Sequence, residues 1–115
     1  GLWSNANYKS VPLNGIPTKS PESHCTVLWN QSNQDVYIAV HKLPKPPDDK
    51  QYQLWAIADG KPVDLGLLNN EHLDSNLQAM KGIPNPQAFA ITLEKKGGVE
   101  NPTLSEMYVM GGVTP

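Results

Sequence analysis

The sequence predicts an all-β fold: an antiparallel β-sandwich of about seven strands, immunoglobulin-like or cupredoxin-like, with little helix. Its 115 residues are enough for one domain of ordinary size. Eleven prolines and nine glycines separate the apolar runs, which favours many short elements joined by turns. The apolar runs recur at the spacing that a sandwich or barrel requires. We therefore expect a linker, or a remnant of a longer chain, at residues 1–9 and a single β-sandwich domain at residues 10–115.

The strands can be placed by alternation and by turn signals. The clearest alternation lies in residues 35–43, where Val36, Ile38 and Val40 share one face. Residues 51–58 are nearly continuous in apolar character, as in a central strand that is covered on both faces. The irregular stretch 69–86 allows a helical turn or two. The predicted strands are 10–13, 25–30, 35–43, 51–58, 62–68, 88–94 and 107–110.

Charge and composition argue against several classes of function. The net charge is −2 and the lysines are scattered, so we expect no binding to nucleic acid or to an anionic membrane surface. No apolar run approaches the roughly 20 residues that span a bilayer, and we expect the chain as given to be soluble. The single cysteine cannot form an internal disulfide, so cysteine usage does not indicate a redox compartment.

Motifs for catalysis or metal binding do not stand out in the sequence. It lacks G-x-S-x-G, H-E-x-x-H, a P-loop and C-x-x-C, and we predict no enzyme activity and no cofactor. His24, Cys25, His41 and His72, together with three methionines, supply the residue types of a blue-copper site, which needs two His, one Cys and a weak axial Met. Their order argues against copper, because Cys25 lies early and is not followed by a closely spaced His and Met. A small buried thiol on a strand is the preferred interpretation.

Three aromatic side chains allow two interpretations. Trp29, Tyr52 and Trp55 could form a platform on which a carbohydrate or peptide stacks. Alternatively they fill the core between the sheets. We favour the core for Trp55, and less strongly for Tyr52.

Three ordered segments resemble a known family. They are Tyr52-Gln53-Leu54-Trp55-Ala56-Ile57, then Gly60-Lys61-Pro62-Val63 with Gly66, then Phe89-Ala90-Ile91-Thr92-Leu93-Glu94 with Gly97-Gly98 and Pro102-Thr103. Together they resemble the C-terminal domain of the anti-sigma-K factor family, often called RskA, from about Val11 to Gly111. Lys95-Lys96 stands where that family commonly has Pro-Ala. The matching motif residues are Tyr52, Gln53, Leu54, Trp55, Gly66, Thr92, Glu94, Gly97, Gly98, Pro102 and Thr103.

The resemblance implies a regulatory, non-enzymatic domain. It would lie on the periplasmic or extracytoplasmic face of the cytoplasmic membrane, anchored by a single transmembrane helix that this sequence does not include. A cytoplasmic segment, also absent here, would bind an extracytoplasmic-function sigma factor, and regulated proteolysis would release it. The partners of this domain would be an envelope protein or a protease. The alternative is a ligand-binding module for carbohydrate or peptide.

Physical roles can be predicted for some motif residues. Gly97-Gly98 would supply positive φ or a close backbone approach in the loop after the sixth strand, and Pro102 would pre-set a turn. Glu94, at the end of that strand, either accepts hydrogen bonds from loop amides or is an ordinary exposed carboxylate. The lead-in at residues 2–9 lacks a clear period, so we expect it to be accessible to proteases.

Overall fold

The all-β class is confirmed by a computed structural model, which describes residues 7–73 and 77–114. Short 3₁₀ turns at Asn70–His72 and Leu104–Glu106 are the helical elements of this part of the chain. The strands of this part are β1 Tyr8–Gly15, β2 His24–Asn30, β3 Val36–Lys42, β4 Lys50–Ala58, β5 Lys61–Leu67, β6 Gln78–Met80, β7 Ala88–Lys95 and β8 Met107–Gly112.

The strands form one antiparallel sheet in the order β5-β4-β7-β8-β1-β2-β3-β6. The sheet curls until its two ends approach each other, and the amide of Lys81 after β6 donates to the carbonyl of Leu65 in β5 at 2.9 Å. The architecture is therefore a nearly closed, barrel-like sheet with an apolar interior.

Two details differ from the predicted strands. The described part of the chain has eight strands, and the additional one, β6, has only three residues. The first strand is longer than the predicted 10–13, because β1 pairs with β2 from Tyr8 opposite Asn30 to Asn14 opposite His24. Tyr8 and Lys9 thus belong to the sheet. Residues 2–6 of the predicted lead-in lie outside the described residues.

The interior is formed by alternate residues of the strands. Val36, Ile38 and Val40 of β3 are buried in it, as the period-2 pattern predicts. Phe89 and Ile91 of β7 face the same interior. The neighbouring strand β4 contributes Tyr52, Leu54 and Ala56 to the same cluster.

Tyr52 links the core to residues 43–49, which connect β3 to β4 and include three prolines. Its hydroxyl donates to the carbonyl of Pro44 at 2.6 Å, and its ring meets Tyr108 edge-on with centroids 5.4 Å apart. Burial raises the pKa of the Tyr52 phenol. The side chain therefore stays protonated and keeps donating this hydrogen bond at neutral pH.

Cys25 is buried in the same interior. Burial raises the pKa of its thiol to about 12, although a hydrogen bond with the backbone of His41 opposes part of this rise. The thiol is therefore protonated at neutral pH, which makes it unreactive. His24 and His41 stack on each other, with ring centroids 4.9 Å apart. Over residues 7–73 and 77–114, no three His, Cys, Asp or Glu side chains cluster to hold a metal ion.

Among the described residues, no helical element is long and apolar enough to span a bilayer.

Candidate functional site

Most of the motif residues meet on the outer face of β4 and β7, opposite the core. Leu54 and Ala56 point inward, so Gln53 and Trp55 point outward on the same strand. The register places Gln53 opposite Thr92. Residues 96–106, which connect β7 to β8, cross this face, and we call them the 96–106 loop.

A hydrogen-bond chain fastens the far end of this loop. The indole Nε1 of Trp55 donates to Thr92 Oγ1 at 2.9 Å, and the same hydroxyl donates to Glu94 Oε2 at 2.7 Å. The Thr103 amide donates to Glu94 Oε2 at 2.8 Å, and its hydroxyl donates to Glu94 Oε1 at 2.7 Å. Glu94 is only 3% exposed. Of the two predicted alternatives for Glu94, the structure shows the carboxylate that accepts from the loop backbone.

A second clamp holds the middle of the loop. Gln53 donates through Nε2 to the carbonyl of Val99 and accepts through Oε1 from the Val99 amide, both at 3.0 Å. Gln51 Oε1 accepts from the Gly97 amide at 3.2 Å. Alternate residues of β4 therefore satisfy backbone groups of the loop, which would otherwise lie on the sheet unpaired.

The two glycines that enter the loop have the predicted backbone conformation. Gly97 has φ +93° and Gly98 has φ +84°. A Cβ at Gly98 would lie 3.0 Å from Gln53 Oε1 and 3.0 Å from Leu67 Cδ2, whereas a Cβ at Gly97 would have no neighbour within 4 Å. Gly98 is thus needed both for its φ and for the close approach of the loop to the Gln53 clamp.

These two glycines provide a matched test of the clamp. Gly97→Ala is expected to lower the free energy of unfolding by about 1–2 kcal/mol, because alanine is strained at positive φ. Gly98→Ala has the same strain and also a close contact between its Cβ and Gln53, so its expected cost is about 2–4 kcal/mol. The measurement is the free energy of unfolding by urea titration of both variants. Equal losses would show that the approach to Gln53 is loose.

The position of Trp55 differs from the predicted position in the core between the sheets. The side chain is buried, at 1% exposure, but it does not lie in the interior cluster. Its neighbours Leu54 and Ala56 occupy the interior, so the pleat directs Trp55 to the outer face. There the 96–106 loop covers the ring. The sequence predicted burial correctly and the buried face wrongly.

The aromatic platform considered above is not available for stacking. Trp29, Tyr52 and Trp55 are at most 7% exposed, and Trp29 donates its indole N–H to the carbonyl of Ile83 at 2.8 Å. Stacking with a sugar needs an open ring face. The three rings are instead enclosed by the protein.

Beside the loop, the outer face has a small apolar pocket. Its volume is about 310 Å³, and the Trp55 ring forms part of its wall. Leu104 of the loop lies at its edge and is 70% exposed. The other apolar side chains that line it are Ile57, Pro62, Ala90, Pro102 and Met107.

The remaining motif residues have different positions. Tyr52 and Leu54 belong to the interior. Gly66, with φ +115°, lies in β5 where the register with β4 shifts, and its amide donates to Asp64 Oδ1 at 2.8 Å. Pro102 lies in the 96–106 loop and lines the pocket. Sequence reasoning missed Gln51 as a loop contact and Leu104 and Met107 as pocket residues, since none of them belongs to a motif.

The fold and this hydrogen-bond network define a small β-domain whose motif residues fix one loop to the outside of a barrel-like sheet. The chain belongs to the family described as "Anti-sigma-K factor rskA, C-terminal", whose model matches residues 5–107. This is a regulatory family of anti-sigma factors.

One curated relative extends this comparison. It is a protein of Streptomyces griseus described as "Uncharacterized protein in phr 5'region", 30% identical over 89 residues. The match covers 76% of this chain and 37% of the relative, so the chain spans little more than a third of the relative's length. No solved structure is similar enough to match.

Proposed function

We propose that this chain is the extracytoplasmic regulatory domain of a membrane-anchored anti-sigma factor. It controls the release of an extracytoplasmic-function sigma factor through regulated proteolysis. The observation that supports this proposal is the family match over residues 5–107, which includes every motif residue of the loop network. The sigma factor binds a cytoplasmic segment of the longer protein, and an envelope protein or protease acts on this domain.

The domain acts on cleavage of its own membrane stalk, since the membrane separates it from the sigma factor. The described chain enters the sheet at Asn7, whose carbonyl accepts from the Gln31 amide at 2.9 Å, and β1 follows at once. The amino-terminal end of the described chain is therefore held by a folded strand. The folded barrel can therefore shield a cut site close to it, and unfolding would expose that site.

The proposal is tested by unfolding the domain in the intact protein. Trp55→Ala and Leu54→Asp both disrupt buried positions and are expected to raise stalk cleavage and sigma-dependent transcription in cells. Val63→Ala is the matched control, because this apolar side chain of the neighbouring strand is 36% exposed and its loss should leave both readouts unchanged.

Immunoblots of the stalk fragment and a sigma-dependent reporter measure the two effects. Unchanged sigma output from a domain that is shown by proteolysis to be unfolded would refute the shielding mechanism. Loss of the full-length protein without a stalk fragment would also count against it.

The carbohydrate- or peptide-binding alternative has less support. It depended on exposed rings of Trp29, Tyr52 and Trp55, and all three are enclosed. The regulatory function is therefore preferred.

A further inference from the structure

Two exposed large apolar side chains lie next to the apolar pocket. The exposed large hydrophobic residues of the described chain are Val63, Leu104 and Met110. Leu104 lies at the pocket edge, and Met110, 45% exposed, is the register partner of the pocket residue Ala90. The pocket and these two side chains form one surface, which we call the Leu104 surface. Exposed apolar groups gathered at one place mark an interaction site more often than single ones do.

The pocket suits an apolar side chain. None of the described residues that line it is charged. The buried polar atoms at its wall are already paired within the protein, because Trp55 Nε1 donates to Thr92 Oγ1 and that hydroxyl donates to Glu94. Asn101 is the remaining polar side chain of the lining, and it is exposed. An occupant with hydrogen-bonding groups would find few partners there. Its volume of about 310 Å³ is at the lower limit of small-molecule pockets, which favours a compact branched group.

Two ion pairs lie next to residues that line the pocket. Glu106 precedes the pocket residue Met107, and its Oε2 lies 2.9 Å from Lys19 Nζ. Asp64 is the register partner of the pocket residue Trp55, and its Oδ2 lies 3.8 Å from Lys81 Nζ. An apolar centre with a polar rim is the usual anatomy of a protein interface. Because each pair contains one charge of each sign, these pairs can meet the same pairs of a second copy without like-charge repulsion.

We propose that the Leu104 surface is the interface of a twofold-symmetric homodimer, in which Leu104 of each copy enters the apolar pocket of the other. A protruding side chain and an open pocket on the same surface are self-complementary, which is the requirement of an isologous contact. A small molecule in the pocket would leave Leu104 and Met110 exposed to water. A second copy covers the pocket and both side chains. This inference goes beyond the proposed function and does not depend on it.

Sedimentation equilibrium of the 115-residue chain between about 1 µM and 1 mM tests the proposal, since this range includes weak homodimers. We expect a monomer–dimer equilibrium for the natural chain. Leu104→Lys is expected to weaken dimerisation about 30-fold or more, as for a central interface residue. Val63→Lys is the matched control, because Val63 is also an exposed apolar residue and its register partner Ala56 lies in the interior cluster, so it is not on the Leu104 surface.

A photo-crosslinking residue at position 104 provides a second measurement. The expected product is a covalent dimer whose crosslinked peptide contains Ile57 or Pro62. A chain that stays monomeric over the whole range would overturn the proposal. So would a dimer that Leu104→Lys leaves intact, or crosslinks found only within one chain.

Discussion

Trp55→Ala is expected to lower the free energy of unfolding by about 3–5 kcal/mol, the usual cost of removing a large buried aromatic side chain. The ring is 1% exposed and lies between β4 and the 96–106 loop. Its removal would extend the existing pocket into the body of the protein and leave Thr92 Oγ1 without its donor. Both effects destabilise the folded state, and denaturant titration followed by circular dichroism measures their sum.

Trp55→Phe separates the two effects. Phenylalanine retains most of the ring contacts and loses only the indole N–H, so the loss expected from the hydrogen bond is about 0.5–1.5 kcal/mol, with a further loss for the smaller ring. A loss below about 1 kcal/mol for Trp55→Ala would show that the ring is open to solvent, which would restore a ligand-platform interpretation.

The fold class was predictable because the alternation within strands and the turn residues between them indicate the same set of short strands. Period-2 alternation in β3 determined both the strand type and the buried face, and turn residues separated the elements. The short strand β6 was not predictable in this way. Gln78, Ala79 and Met80 are too few to show a period, and their pairing with β3 depends on tertiary contacts.

Closure of the sheet into a barrel was also not predictable from the sequence. The pattern of β4, apolar on both faces, agrees with a sandwich as well as with a barrel that carries a loop on its outside. Only the pairing of β8 with β1 and the contact of Lys81 with Leu65 distinguish the two. This is also why Trp55 was assigned to the interior: the layer that covers it is a loop, which has no periodic signal.

The candidate site could be predicted in part. Gly97 and Gly98 indicated positive φ or a close backbone approach, and for Glu94 a carboxylate that accepts from the loop was one of the two predicted alternatives. The pairing of Gln53 with Val99 could not be predicted, because it links residues 46 positions apart through one side chain and one backbone unit. A spacing of two between Thr92 and Glu94 does place them on one face, and that signal could have suggested their hydrogen bond.

Glu94→Ala is expected to release the far end of the 96–106 loop. The carboxylate accepts from Thr92 Oγ1, from the Thr103 amide and from Thr103 Oγ1, and it is 3% exposed. Its removal leaves these donors unpaired under the loop. Since hydrogen bonds to a charged group contribute about 1.5–3 kcal/mol each and are not additive, we expect a total loss of about 3–5 kcal/mol in unfolding free energy.

Thr103→Val and Glu94→Gln are the controls for this prediction. Valine removes only the Thr103 hydroxyl and keeps the amide contact, so its expected cost is about 1.5–3 kcal/mol, below that of Glu94→Ala. Glutamine keeps one acceptor oxygen and can donate its amide N–H₂ to the Thr103 hydroxyl, but it loses the charge of the carboxylate, so its stability should fall between wild type and alanine. Hydrogen exchange locates the effect: in Glu94→Ala the Thr103 amide should exchange much faster, while amides in β2 and β3 keep their protection relative to the new global stability. If the Thr103 amide keeps its protection in Glu94→Ala, the loop is held by the Gln53 clamp and by packing on Trp55, and the carboxylate has no fastening role.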